Sequence, residues 1–141
     1  MTADSNNLTV SGHFKNLAKI ADFISQAAAQ AKLDEGAAYN IQMAVDEACT
    51  NIIEHSYGGE GRGQLRLSYS IKADGLQVII FDQGSPFDPD RVPELDITAS
   101  LADRTPGGMG LFFMRRLVDT IEFKFDTPQG NQLILFKRRE Q

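Results

Sequence analysis

The chain has 141 residues, 42% hydrophobic and 23% charged, a composition that suits one globular domain with a buried core. A net charge of −5 argues against nucleic-acid binding by phosphate neutralisation, and the one dense basic run, Lys137-Arg138-Arg139, reads as a solvated tail. No apolar run approaches the ~18 residues that a membrane span needs, and no signal-peptide pattern stands at the N-terminus. Cys49 is the one cysteine, which excludes an internal disulfide framework and fits a reducing compartment. The expectation is a single cytoplasmic domain over 1–141, with 1–7 as a flexible tail and no membrane or direct nucleic-acid partner.

Residues 8–13 (LTVSGH) suit a short strand. From Phe14 to about Lys32, Leu17, Ile20, Ala21, Ile24, Ala27, Ala28 and Ala31 recur at helical spacing. Asp34 is a natural N-cap for a second long helix running to about Tyr57, where Gly58-Gly59 provides the stop. "QLRLSYSIK" then alternates Leu65, Leu67, Tyr69 and Ile71 with polar neighbours, Asp74-Gly75 turns, and "LQVIIFD" returns as a more buried strand. A loop with Pro86, Pro89 and Pro93 leads into an irregular stretch, and a helix is expected from about Met109 to Val118. Ile121, Phe123 and Phe125 alternate in a further strand, "TPQGN" turns, and "QLILFKR" closes a second hairpin. Hairpins in sequence with about three helices imply an α+β two-layer sandwich, a mainly antiparallel mixed sheet covered on one face.

Within the second helix, "EACTNIIEH" spaces Glu47, Asn51 and His55 four residues apart. With Val45 taken as zero, Ile41, Ala48, Cys49 and Ile52 fall within about 60° of it and define the buried face. Glu47, Asn51 and His55 then lie at roughly −160°, −120° and −80°, a polar stripe drifting from solvent toward the core. Asp46 and Glu54 read as surface carboxylates, and Cys49 as a small core residue. The second histidine, His13, belongs to a distant strand, so no metal cluster of histidines and carboxylates is expected.

Two further stretches could serve a ligand. In "FDQGSPFDP", Asp82 stands at the mouth of the buried strand, placed to accept a hydrogen bond from a ligand amine, and Gly84 would let a flat ring approach the backbone. In "TPGGMGLFFMRRLVD", Gly107, Gly108 and Gly110 open a helix whose first turn carries no acid, which suits a phosphate. Neither a P-loop nor a dinucleotide fingerprint is present, so a nucleotide site would be of another kind.

In order, Glu47-x-x-x-Asn51, Asp82-x-Gly84 and Gly108-x-Gly110 resemble the three nucleotide boxes of the superfamily of gyrase, heat-shock chaperone, histidine kinase and mismatch-repair ATPases. Within it, "NIIEHSYGG", "DQGSPFDP" and "GGMGLFFMRRLVD" most resemble the bacterial anti-sigma-factor serine kinases, over nearly the whole chain. The resemblance implies a Bergerat-type ATP-binding fold with ATP and Mg²⁺ as ligands. It assigns Asn51 to Mg²⁺, Glu47 to general-base catalysis, Asp82 to the adenine amino group with Gly84 beside the ring, and Gly108 and Gly110 to the phosphates. It makes 99–107 a lid, including Arg104, Thr105 and Gly107. Some members carry a basic residue immediately before the last glycine box. Here Thr105-Pro106-Gly107 stand there, and Arg104 is the nearest candidate to touch the terminal phosphate. His55 would pack near the site. The implied activity is partner switching: a sigma factor or similar effector is bound in one state, and a small anti-sigma antagonist is phosphorylated on serine in the other. Homodimers are typical of the resembled family. The alternatives are an ATP hydrolase and a nucleotide-gated protein-binding module without kinase activity.

Overall fold

Asp34 caps the second helix as its position predicts: its backbone is extended and its Oδ1 accepts from the Ala37 N–H at 2.7 Å. This and the following description come from a computed structural model that describes residues 6–85 and 114–139. In chain order the elements are β1 (Asn7–Ser11), a 3₁₀ turn (Phe14–Asn16), α1 (Leu17–Gln30), α2 (Glu35–Asn51), a π-helical turn (Ile52–Ser56), β2 (Gln64–Lys72), β3 (Gly75–Asp82), β4 (Thr120–Thr127) and β5 (Gly130–Arg138). Residues 114–117 are also helical. The rest of the helix expected from about Met109 lies outside the described residues.

The first two elements differ from expectation at their junction. β1 stops at Ser11 because Asn16 Nδ2 donates to both the Ser11 carbonyl (2.9 Å) and its hydroxyl (3.0 Å), folding the chain back into the 3₁₀ turn. Helix α1 therefore starts at Leu17 rather than Phe14 and ends before Lys32, which takes a left-handed φ of 61°.

The five strands form one sheet in the order β1-β2-β3-β5-β4, and every pairing among the described residues is antiparallel. The mixed sheet expected from sequence thus holds only in its antiparallel part. Period-two alternation sends Leu65, Leu67, Tyr69, Val78, Ile80, Leu133 and Leu135 toward the helices, where Ile20 and Ile24 of α1 and Ile41, Val45 and Cys49 of α2 meet them. All are at most 6% exposed. Ile71, at the far end of the same alternation, is 45% exposed. Among the described residues, no helix is long and apolar enough to cross a membrane.

The end of α2 is the main departure. The α-helical pattern stops at Asn51, and Tyr57 N–H bonds to the Ile52 carbonyl at 2.9 Å, five residues back. Such widened turns are rare and recur at functional sites. The Tyr57 hydroxyl then donates to the Gln64 carbonyl (2.6 Å) and accepts from Gln83 N–H (2.9 Å), tying this turn to the start of β2 and the exit of β3.

Candidate nucleotide site

Asn51 is the last residue of α2 and Asp82 the last of β3, and together they border one cleft. The empty space of the cleft is about 570 Å³, counting space open to solvent. Ala48, Ile52, His55 and Ser56 form its helical wall; Phe123, Phe125, Asn131, Gln132 and Leu133 form its sheet wall, and Met114 also lines it. The small side chain at Ala48 leaves space on the helical wall. Phe123 and Phe125 lie with their rings nearly parallel, 19° apart at 5.8 Å between centroids.

Asp82 is 6% exposed, yet only one of its oxygens is used. Oδ1 accepts from Gly84 N–H (2.9 Å) and from Asn131 Nδ2 (3.0 Å). Oδ2 takes no hydrogen bond among the described residues, a costly condition for a buried carboxylate unless something else donates to it. The Asn51 carboxamide, half-buried at the helix end, likewise makes no hydrogen bond among the described residues.

Gly84 has a structural reason of its own. A Cβ there would lie 2.6 Å from the Ser56 carbonyl oxygen, and Ser85 N–H donates to that same oxygen at 2.8 Å. The glycine lets the exit of β3 rest on the backbone of the π-helical turn, which bears on the expected approach of a ring.

Glu47 lies one helical turn before Asn51 but does not line the cleft among the described residues. It is half-buried, and burial pushes its carboxyl above the ordinary range, with Asp46 and then Glu54 adding to the effect. Asp46 is itself half-buried and raised by burial, so it is not the solvated surface carboxylate expected from sequence. Glu54 is exposed as expected. His55 does stand at the cleft, with a side chain 48% exposed and Nε2 3.7 Å from Glu54. Its more solvated place follows from the widened turn, which breaks the 100° progression after Asn51.

Arg104, Thr105, Gly107, Gly108, Gly110 and the expected lid over 99–107 lie outside the described residues. Sequence reasoning missed Asn131 and the aromatic wall. Asn131 sits in "TPQGN", which reads as a turn, and Phe123 and Phe125 read as alternating residues of a strand; only the strand pairing brings them here. No group of three or more His, Cys, Asp or Glu able to hold a metal occurs among the described residues.

Comparison with known proteins finds relatives for the chain. The serine-protein kinase RsbW of Halalkalibacterium halodurans is 36% identical over 106 residues, covering 72% of this chain and 64% of that protein. The RsbW of Bacillus velezensis is 34% identical over 92 residues, covering 59% and 54%. That of Listeria monocytogenes is 29% identical over 118 residues, covering 81% and 74%. The matches thus span less than two thirds of the first two relatives. Among solved structures, the RsbU and RsbW domains of a Mycobacterium tuberculosis protein superpose with a TM-score of 0.65 at 15% identity, over 94% of this chain and 31% of that one. The catalytic domain of histidine kinase ThkA gives 0.54 at 12% identity, over 94% and 97%. These two likenesses establish the fold. Residues 10–137 match the family described as the histidine kinase-like ATPase domain, and the chain belongs to that family.

Proposed function

We propose that the protein binds ATP with Mg²⁺ in the cleft and transfers the terminal phosphate to a serine of a small protein partner, an anti-sigma antagonist. In its other state it holds a sigma factor or a similar effector, and it works as a homodimer in the cytoplasm. The observation that carries the reading is the pair Asn51 and Asp82, brought together across one cleft with an unused carboxamide and an unused carboxylate oxygen. The names of the relatives, serine-protein kinases, favour the same activity.

Each residue has a role in this reading. Asp82 Oδ2 accepts from the adenine amino group. Asn51 offers a neutral carboxamide oxygen to Mg²⁺, a cation that commonly takes few protein ligands and keeps its waters and phosphates. Bound there, Mg²⁺ supplies neutralisation of charge on the phosphates. Glu47 takes the proton of the serine hydroxyl as that oxygen bonds to the γ-phosphorus and the bond to ADP breaks. A base with a raised pKa suits that step near neutrality. Gly108 and Gly110 offer backbone N–H groups to the phosphates, with Gly107, Thr105 and Arg104 beside them; Gly84 keeps the backbone close to the base. Tyr39 and Met43, 61% and 41% exposed, precede Glu47 by two turns and one turn of α2, an apolar approach that suits a protein acceptor.

One observation favours a second reading, a nucleotide-gated binding module: Glu47 does not line the cleft among the described residues. Capture of partners on the tagged protein with γ-labelled ATP and Mg²⁺, followed by mass spectrometry for phosphoserine, separates the two. Phosphoserine formed by the native protein, and lost in Glu47→Ala while ATP binding persists, is the expected result. Partner capture without transfer would select the binding module.

A further inference from the structure

We infer that Asn131 is the positioning residue that sets base discrimination in the cleft, acting through Asp82. The inference rests on the reading of Asp82 as the acceptor for an exocyclic amine. Asn131 faces Asp82 directly in the β3–β5 ladder, and the two are 5% and 6% exposed. Its Nδ2 donates to Asp82 Oδ1 at 3.0 Å and to the Gly84 carbonyl at 2.9 Å, so one amide group grips both the carboxylate and the backbone two residues on.

The other end of the carboxamide is also held. Asn131 Oδ1 accepts from Asp126 N–H at 3.3 Å, where β4 slips register and Asp126 adopts a φ of 54°. Turning the amide over would set its oxygen against Asp82 Oδ1 and the Gly84 carbonyl, acceptor against acceptor, and its NH₂ against a donor. The network therefore fixes one orientation.

That orientation has a consequence for recognition. Two N–H groups occupy Asp82 Oδ1 and hold the carboxylate plane, leaving Oδ2 as the oxygen available to a ligand. A purine with a 6-amino group donates to it. A purine with a 6-oxo group presents an acceptor to an acceptor and is rejected, as sites built for one polarity reject the other. Without the Asn131 donor, the Gly84 N–H alone holds Oδ1 and the carboxylate can turn about that single bond, so the direction of the ligand contact is loosened.

Binding of ATP and of inosine triphosphate, which differ at this position of the base, tests the proposal on the whole chain by titration calorimetry with Mg²⁺. Asn131→Leu removes the donor at similar size, and Asn131→Ala decides the matter if Asn131→Leu does not fold. The native protein is expected to prefer ATP, and each folded variant to lose about tenfold or more of that preference, mostly through weaker ATP binding. A variant with the native unfolding transition and the native ATP-to-inosine-triphosphate ratio would overturn the role of Asn131. So would a parallel loss of both affinities, which is what a merely structural residue gives. Equal affinity of the native protein for the two nucleotides would instead remove the reading of Asp82 itself.

Discussion

Substituting Gly84 by alanine tests how closely the exit of β3 rests on the end of α2. The added Cβ would lie 2.6 Å from the Ser56 carbonyl oxygen, 2.7 Å from its carbon and 2.8 Å from its Cβ. The first two are backbone atoms of the π-helical turn, and no side-chain rotation relieves them. Forcing a methyl group into such a contact costs about 1–3 kcal/mol. Moving the loop away to avoid it also stretches the Ser85 N–H to Ser56 carbonyl bond, 2.8 Å in the native arrangement. That adds about 0.5–1.5 kcal/mol. The sum, about 1.5–4.5 kcal/mol, corresponds to a fall of roughly 5–17 °C in the unfolding temperature of a domain this size. Differential scanning calorimetry, with and without Mg-ATP, reads it directly. Because Gly84 N–H also holds Asp82 Oδ1, the stabilisation that ATP gives should shrink in the same variant. An unfolding temperature within about 1 °C of the native one would refute the close approach, since about 0.3 kcal/mol is far below the collision cost. A native unfolding temperature with lost ATP binding would assign Gly84 to the ligand instead.

The remaining predictions concern protons and thiols. If Glu47 is the base, activity should fall with pH through a midpoint above the ordinary glutamate range, and Glu54→Gln should move that midpoint down by removing one raising neighbour. A pH–rate profile unaltered by Glu54→Gln would count against it. The same raised value means the native state takes up this proton more readily than the unfolded chain. Ionisation therefore costs stability as pH rises from the ordinary value through the raised one. Glu47→Gln should accordingly stabilise the protein above that window and lose its advantage below it, as denaturant titrations at several pH values would show. Cys49 is fully buried and its thiol is pushed far up by desolvation, so alkylation should be on the order of 10³-fold or more slower than in denaturant. Reaction at the denatured rate would place Cys49 outside the core.

Local signals told the most. Leu65, Leu67 and Tyr69 announce a one-sided strand because period two and burial coincide there, and Asp34 announces α2 because capping needs only neighbouring residues. The end of α2 was illegible for the opposite reason. A bond from Tyr57 N–H to the Ile52 carbonyl leaves no mark in a pattern judged at 3.6 residues per turn, so the helix seemed to run on and His55 seemed closer to the core. Asp46 seemed solvated because its half-burial depends on tertiary surroundings rather than on helix phase alone. Of the site, Asn51 and Asp82 were readable as candidates because they sit at the ends of strongly patterned elements. Asn131 was not, since its partner stands 49 residues away in sequence and only the β3–β5 register joins them. The resemblance reached further, to the glycines near 108, where the described residues give no geometry.

The Tyr57 tie also makes the protein its own optical instrument. The chain has three tyrosines and no tryptophan, so no indole masks their ultraviolet signals. Tyr39 is mostly exposed on α2, whereas Tyr69 is buried with its hydroxyl bonded to Gln30 Oε1 at 3.0 Å. Tyr57 alone stands between the helix bearing Asn51 and the strand bearing Asp82, its hydroxyl shared by Gln64 and Gln83. Near-ultraviolet dichroism is therefore weighted toward the two held rings, and a Tyr57→Phe comparison isolates the ring that spans the cleft's two supports. Any rearrangement there is written into a spectrum that needs no added label.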